Sequence, residues 1–142
     1  MKKLTSIIGL CLLAVVAFAD PNEKVLRTFK ETYAAAQNVK WEEYSSYYSV
    51  SFSYSGIQSK VNYDKDGIML SSIRYYDPAL LPTNILNRLK KEQSKRKLYG
   101  VTEVAVGDEV VYFVKLHDDK HWITLRMDPQ GNSEVYEKYR KA

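Results

Sequence analysis

The chain has 142 residues and carries 21 basic against 17 acidic side chains, which gives a formal charge of +4. This length suits one compact domain, and so small a positive excess argues against a nucleic-acid-binding protein. The unusual feature of the composition is its twelve tyrosines, a residue that suits half-buried sheets and binding surfaces.

The N-terminal segment has the pattern of a secretory signal peptide. Two lysines precede an apolar stretch at residues 4–16, too short for a comfortable membrane span, and residues 17–19 (Ala-Phe-Ala) form an A-x-A cleavage site. We expect residues 1–19 to be removed, so that the mature chain begins at Asp20 and is exported to the periplasm or cell surface without stable membrane insertion. An uncleaved anchor is the less favoured alternative. Cleavage would remove the only cysteine, Cys11, and leave a chain with no disulfide and no thiolate nucleophile.

The first half of the mature chain is predicted to form a helix followed by strands. Asn22 is the expected N-cap of a helix that runs to about residue 37, with apolar residues at helical spacing. At residues 48–54, aromatic or branched side chains alternate with serines, which predicts a strand with one covered and one wet face. Residues 64–67 (Asp-Lys-Asp-Gly) form a hairpin loop, with Gly67 suited to a positive φ. The other strands of this half are expected near residues 39–44, 57–63 and 68–76.

The second half is predicted to follow the same order. A helix begins after Pro82, capped by Thr83 or Asn84, and carries Ile85 and Leu89 on its apolar stripe. Strands are expected at residues 101–106, 110–117, 121–128 and 133–139.

The two halves match each other when the sequence is shifted by 64 positions. Residues 48–75 then align without a gap on residues 112–139, with Asp64 on Asp128 and Gly67 on Gly131. We therefore predict an α+β fold made of two tandem αβ4 repeats, at about residues 20–77 and 78–142, within one domain. The helices should pack on one face of an antiparallel sheet and leave the other face open.

A family resemblance rests on the motifs of the first half. The first helix is followed by residues 38–41 (Asn-Val-Lys-Trp), an alternating strand, and a second strand that ends in Tyr-Asp-Lys-Asp-Gly at residues 63–67. In this order the motifs resemble the PepSY-like family of small exported proteins, also described as beta-lactamase-inhibitor-like. The second half departs from the pattern, because residues 104–106 (Val-Ala-Val) stand where the tryptophan would be. The resemblance implies a tandem αβ4 architecture, export and a non-enzymatic binding role; it supplies no catalytic residues.

No catalytic, cofactor or metal site is predicted. The serines lack a G-x-S-x-G context and no glycine-rich phosphate loop is present. His117 and His121 flank two aspartates, but a regular hairpin would place them on opposite faces and no third histidine or cysteine follows, so metal binding is disfavoured. The D-x-D-G loop at residues 64–67 lacks the downstream acidic ligand of a calcium loop.

One cluster of basic residues has two interpretations. It consists of six basic residues around the end of the second helix: Arg88, Lys90, Lys91, Lys95, Arg96 and Lys97. A solvated helix end is the favoured interpretation, and contact with an acidic partner or an anionic membrane surface is the alternative.

The open sheet face of the second half is the predicted binding surface. The first half presents Ser49, Ser51, Ser53, Lys60 and Asn62 there. The second half presents Val111, Phe113, Lys115, His117, Trp122 and Arg126. Exposed aromatic rings beside cations are typical of a binding hot spot. We expect Trp122 and Phe113 to dock on another protein of the cell envelope, such as a secreted hydrolase, and to block it without catalysis. Packing on a loop, a terminus or a second copy is the structural alternative. The alternative function is binding of a small ligand or envelope peptide, on this face or in a pocket between the halves.

Overall fold

The computed structural model describes residues 17–142, with the side chains of Ala17 and Phe18 left aside. The apolar stretch of the predicted signal peptide lies outside the described residues, so its cleavage stays a prediction. The described helices are α1 (Glu23–Thr32) and α2 (Thr83–Glu92), and a 3-10 turn lies at Pro78–Leu80. The strands are β1 (Ala17–Phe18), β2 (Gln37–Glu43), β3 (Tyr47–Tyr54), β4 (Ile57–Asp64), β5 (Met69–Tyr76), β6 (Lys97–Val106), β7 (Glu109–His117), β8 (His121–Met127) and β9 (Ser133–Arg140).

The strands of the described chain form one antiparallel sheet whose spatial order is the chain order, β1 to β9. Eight strands are long, and β1 adds two residues at the edge of β2. This confirms the predicted α+β class with a single open antiparallel sheet. Neighbouring strands are joined by short turns except at two places, where α1 connects β1 to β2 and α2 connects β5 to β6. Neither described helix has the length and hydrophobicity that a membrane span requires.

Helix α1 begins as predicted but ends early. The Asn22 side chain accepts a hydrogen bond from the backbone N–H of Val25 at 3.1 Å, which confirms the predicted N-cap. The predicted extension to residue 37 is wrong, because the helix ends at Thr32 and Gln37 already pairs with Ser53 of β3. Pairing in the sheet overrides the helix propensity of the intervening alanines.

Helix α2 begins without the predicted side-chain cap. Pro82 rather than Thr83 or Asn84 occupies the N-cap position, and no described side chain caps the helix. The Pro82 carbonyl accepts from the N–H of Leu86 at 3.0 Å, and the preceding Leu81 is buried. The restricted φ of proline and the anchoring of Leu81 therefore start this helix.

The loops after β4 and β8 have the same hydrogen-bond pattern. In the first, the Asp64 carboxylate accepts from the N–H groups two and four residues later, both at 2.9 Å. In the second, Asp128 accepts from the N–H groups at the same offsets, at 3.0 and 2.9 Å. Each loop ends in a left-handed glycine, Gly67 (φ +86°) and Gly131 (φ +88°), which confirms the positive φ predicted for Gly67.

Each helix covers its own hydrophobic core. Val25 and Phe29 of α1 pack on buried residues of β3 and β4, and Ile85 and Leu89 of α2 pack on buried residues of β6, β7 and β8. Each such side chain contributes about 1.5–3 kcal/mol through its burial. The register places the strand residues of both cores on one side of the sheet, here called the helix face. The opposite side is called the outer face.

Two strand predictions need correction. The predicted short strand at residues 101–106 is the ten-residue β6, because pairing with β7 continues back to Lys97. The serine side of β3 is not uniformly wet, since only 1% of Ser49 is exposed although it lies on the outer face. Ser49 stands between Glu42 and Asn62 of the flanking strands, whose longer side chains shield it.

Candidate protein-binding surface

The six predicted site residues lie together on the outer face of β7 and β8. Phe113 pairs with Arg126, Lys115 with Thr124, and His117 with Trp122. Because side chains alternate along a strand, the side chain of Val111 also points to this face, two residues before Phe113 along β7 and opposite Val104 of β6. The structure thus places all six side chains on the side without helices.

Trp122 lies at the centre of this cluster and is half-buried, not exposed as predicted. Tyr99 meets its ring edge to face with centroids 5.1 Å apart, and the His117 ring lies at 4.8 Å. The ammonium groups of Lys115 and Lys141 lie 5.1 and 5.2 Å from the indole centroid. Each such cation–π contact contributes about 0.5–1 kcal/mol where solvent is near. These contacts hold the indole in one position and explain its partial burial.

Phe113 is covered in a similar way by one tyrosine. The Tyr136 ring meets it edge to face, with centroids 5.0 Å apart. Tyr136 itself is 64% exposed. The Arg126 guanidinium, next to Phe113 across the strand pair, binds the Glu134 carboxylate at 3.3 Å. Phe113 is therefore partly sheltered from water, and Tyr136 is the more exposed of the two rings.

Four further residues of this surface were missed by the sequence analysis: Tyr99, Tyr136, Tyr139 and Lys141. Strict alternation along β9 would put Tyr136 and Tyr139 on opposite faces. A register shift between Thr124 and Leu125 inserts an extra residue in β9, so both tyrosines contact outer-face residues. The surface formed by these four residues with Phe113, Lys115, His117, Trp122 and Arg126 is called the outer patch.

The outer patch carries positive charge that the protein does not neutralise. Lys115 and Lys141 form no ion pair with a carboxylate among the described residues, although Arg126 does. The ammonium group of Lys141 lies 3.1 Å from the His117 Nδ1 atom, within hydrogen-bond distance. Aromatic rings and ammonium groups without carboxylate partners therefore lie side by side on the outer face.

On the outer face of the first half, one lysine is neutralised within the protein. Lys60 and the Tyr44 hydroxyl both bind the Glu42 carboxylate, at 3.3 and 3.2 Å. The Tyr44 ring stacks on Tyr47 with centroids 4.4 Å apart. Lys60 is therefore neutralised, whereas Lys40 forms no ion pair among the described residues, and the Ser49 Oγ and Asn62 Oδ1 atoms are buried without a hydrogen-bond partner.

The basic end of α2 is partly neutralised. Arg88 binds Glu92 at 2.8 Å, and Arg96 contacts Gln93 at 2.7 Å and Asp118 at 3.5 Å. These pairs fit a solvated helix end better than a dedicated site.

The two histidines point to different sides of the sheet. His117 lies in the outer patch, whereas His121 contacts the Asp118 carboxylate at 3.3 Å. The backbone N–H groups of Lys120 and His121, with the His121 and Arg96 side chains, lower the pKa of Asp118 to about 2. Asp118 therefore holds the β7–β8 turn, and within residues 17–142 no cluster of three or more metal-binding side chains occurs.

No protein-family model matches the chain, and no curated protein matches its sequence. Solved structures share its fold. A BLIP-like protein from Bacteroides fragilis gives a TM-score of 0.64 at 17% identity, over 87% of this chain and 88% of that one. A DUF2874 family protein from Bacteroides ovatus gives 0.62 at 20% identity, over 86% and 89%. A protein from Bacteroides eggerthii, proposed to be periplasmic, gives 0.61 at 17% identity, over 86% and 90%.

At these identities the likeness shows the fold alone. The chain has a BLIP-like fold, which supports the beta-lactamase-inhibitor-like part of the predicted resemblance. The PepSY assignment stays a prediction.

Proposed function

We propose that this protein is an exported binding module without catalytic activity, which docks its outer patch on a protein of the cell envelope. The main support is the arrangement around Trp122 and Phe113. Each half-buried ring packs against an exposed tyrosine, and two lysines without carboxylate partners lie over the Trp122 ring. Aromatic anchors of this kind dominate the energy of protein interfaces. The protein would act by occlusion, since a docked sheet face covers whatever lies beneath it.

The chemistry of the outer patch describes the partner. Lys115 and Lys141 favour a surface that carries carboxylates, and the rings favour apolar side chains between them. A secreted hydrolase whose substrate cleft has acidic rims fits this description, and occlusion would then inhibit it. The BLIP-like name of one structural neighbour points to the same class of partner by analogy of fold.

Export and internal duplication are part of the proposal. Export is supported by the signal-peptide pattern of residues 1–19 and by the periplasmic location proposed for the Bacteroides eggerthii neighbour. Duplication is supported by the matching aspartate loops, and by a second shared contact. Asn22 donates to the Lys65 carbonyl at 2.8 Å, and Asn84 donates to the Pro129 carbonyl at 3.3 Å. Two αβ4 repeats, at about residues 20–77 and 78–142, would place the start of each helix beside the aspartate loop of its own half.

Affinity capture from the exported fraction tests the proposal. The wild-type protein is immobilised, the captured proteins are identified by mass spectrometry, and binding of the purified candidate is measured by calorimetry. The variant Trp122→Ala with Phe113→Ala should weaken that binding at least 100-fold, since two hot-spot truncations cost about 2 kcal/mol each or more.

A matched control comes from the first half. Gln58 and Ser49 occupy the positions that a shift of 64 residues puts on Trp122 and Phe113. The variant Gln58→Ala with Ser49→Ala should bind the partner as the wild type does. Equal binding by the Trp122 and Phe113 double variant, or an equal loss in the control, would refute docking through the outer patch.

A further inference from the structure

The middle of the helix face carries a polar cleft between the two hydrophobic cores. Its volume is about 240 Å³, and its lining residues are Tyr33, Tyr54, Ile57, Ser59, Ser72, Arg74 and Glu103. They come from the end of α1 and from β3, β4, β5 and β6. Polar residues replace apolar ones along one row across the sheet: Ser59 of β4 pairs with Arg74 of β5, which pairs with Glu103 of β6. The sheet position at which the cores separate is therefore filled with groups that form hydrogen bonds.

A fixed ion pair forms the floor of this cleft. The Arg74 Nε and Nη2 atoms donate to the Glu103 carboxylate at 2.8–3.1 Å, and the Tyr76 hydroxyl donates to its Oε2 atom at 2.6 Å. The Glu103 side chain is 12% exposed and that of Arg74 is 42% exposed. The carboxylate is thus fully occupied, whereas the Nη1 edge of the guanidinium stays free to donate on the open side.

Four hydroxyl groups surround the ion pair: those of Tyr33, Tyr54, Ser59 and Ser72. In the part of the chain that the structure describes, none of them forms a side-chain hydrogen bond. Burial raises the pKa of the Tyr33 hydroxyl above its ordinary value, although Arg74 opposes the rise, so this group is a proton donor at neutral pH. The Tyr33 and Tyr54 rings meet edge to face with centroids 5.4 Å apart and form an apolar wall.

These features select an uncharged ligand that is rich in hydroxyls. The charges of Arg74 and Glu103 cancel, and no other ionised side chain lines the cleft. Hydroxyl groups both donate and accept, as do the hydroxyls of the lining. A sugar ring also presents C–H groups on its faces, which suit the apolar wall of tyrosine rings. The volume is below the roughly 300–1,000 Å³ of sites for drug-sized molecules, so one ring fills it.

We propose that this cleft is a binding site for a single neutral sugar residue, either free or at the end of a glycan. The site is independent of the outer patch, because the two lie on opposite faces of the sheet. A protein partner on one face and a sugar on the other could be bound together.

Amide NMR spectra of the 15N-labelled protein test the proposal. The probes are D-glucose, D-galactose, D-mannose and N-acetyl-D-glucosamine, with D-glucuronic acid and D-glucosamine as charged comparators. At least one neutral sugar should shift the amide signals of Ser59, Ser72 and Arg74 with a Kd in the millimolar range or tighter. The charged comparators should bind more weakly than that sugar.

Paired variants separate the two faces of the sheet. Tyr33→Phe with Ser72→Ala removes two hydroxyls of the cleft and should raise the Kd at least tenfold. The control, Tyr75→Phe with Ser53→Ala, removes the same groups from the outer face and should leave the Kd unchanged. If the double variant loses stability, Tyr33→Phe alone should still raise the Kd severalfold. Four results would each overturn the proposal. They are amide shifts confined to the outer face, tighter binding of a charged sugar, no binding of any neutral probe, and an unchanged Kd in the cleft variant. None of these outcomes affects capture of a protein by the outer patch.

Discussion

Two tyrosines on the helix face should respond in opposite ways to replacement by phenylalanine, because their hydroxyl groups have different surroundings. The Tyr63 side chain is 0% exposed, and its hydroxyl has no hydrogen-bond partner among the described residues. The Tyr76 hydroxyl donates to the Glu103 carboxylate at 2.6 Å. Replacing each tyrosine by phenylalanine removes one oxygen atom and leaves the ring in place. The two variants therefore compare a buried hydroxyl without a partner with one bonded to a charge.

The magnitudes follow from the state of each hydroxyl. A hydrogen bond to a charged group contributes about 1.5–3 kcal/mol, so Tyr76→Phe should lower the free energy of unfolding by roughly that amount. A buried polar group without a partner costs about 1–3 kcal/mol, so Tyr63→Phe should raise the free energy of unfolding, by about 1 kcal/mol after some relaxation. The two variants should thus differ by at least about 2 kcal/mol.

Urea unfolding followed by circular dichroism measures both values, provided that the slope of each transition is unchanged. A stability loss above about 1 kcal/mol for Tyr63→Phe would show that its hydroxyl is bonded after all, and would refute the reasoning. A change below about 0.5 kcal/mol for Tyr76→Phe would show that the Glu103 contact adds nothing beyond the Arg74 ion pair.

The same pair predicts how stability depends on alkaline pH. Burial, aided by the bond to the Glu103 carboxylate, raises the pKa of Tyr76 above the ordinary value of 10.0, and burial does the same for Tyr63. A tyrosine whose pKa is higher in the folded than in the unfolded state stabilises the folded protein at pH values below its unfolded-state pKa. That contribution is lost as the pH rises above 10. Each phenylalanine variant should therefore lose less stability than the wild type between pH 10 and pH 12, and an unchanged slope would contradict this.

Three further predictions concern turns and charge. Gly67→Ala should lower the free energy of unfolding by about 2 kcal/mol and Gly131→Ala by about 1 kcal/mol. Both positions need a positive φ, but only at Gly67 would an added Cβ lie 3.0 Å from a backbone oxygen of α1. Equal losses on chemical denaturation would contradict this. The Asp118 carboxyl should titrate near pH 2 by NMR, so the stability that its ionised form contributes is present above about pH 4 and is lost as the pH falls through 2. Asp118→Asn should therefore flatten the acid branch of the curve of stability against pH. A titration near pH 4 would be inconsistent with the turn geometry. Lys115→Gln with Lys141→Gln should slow association with the captured partner about tenfold at low salt and remove most of the salt dependence, whereas an unchanged salt slope in stopped-flow measurements would exclude electrostatic steering by these lysines.

The features predicted correctly from the sequence are those that depend on neighbouring residues. Alternation defines the strand that contains Val50, and the aspartate–glycine loops define the turns, because both patterns act within a few residues. The features that were missed depend on distant pairing. Arg74 and Glu103 meet only because β5 and β6 pair across the whole of α2, and periodicity within one segment carries no sign of that register. The direction of Tyr136 depends on an irregularity between β8 and β9, which strict alternation cannot predict.

The comparison between the halves also bears on stoichiometry. If the halves are repeats, equivalent outer faces would be expected to bind two partners or one symmetric partner. The outer faces differ in how their polar groups are used, however. Lys60 of the first half binds Glu42 at 3.3 Å, whereas Lys115 of the second half lies over the Trp122 ring and forms no ion pair among the described residues. The second half therefore presents an indole flanked by two lysines, for which the outer face of the first half has no equivalent among the described residues. We expect one protein partner per chain, and calorimetric titration with the captured partner should give a ratio of one to one.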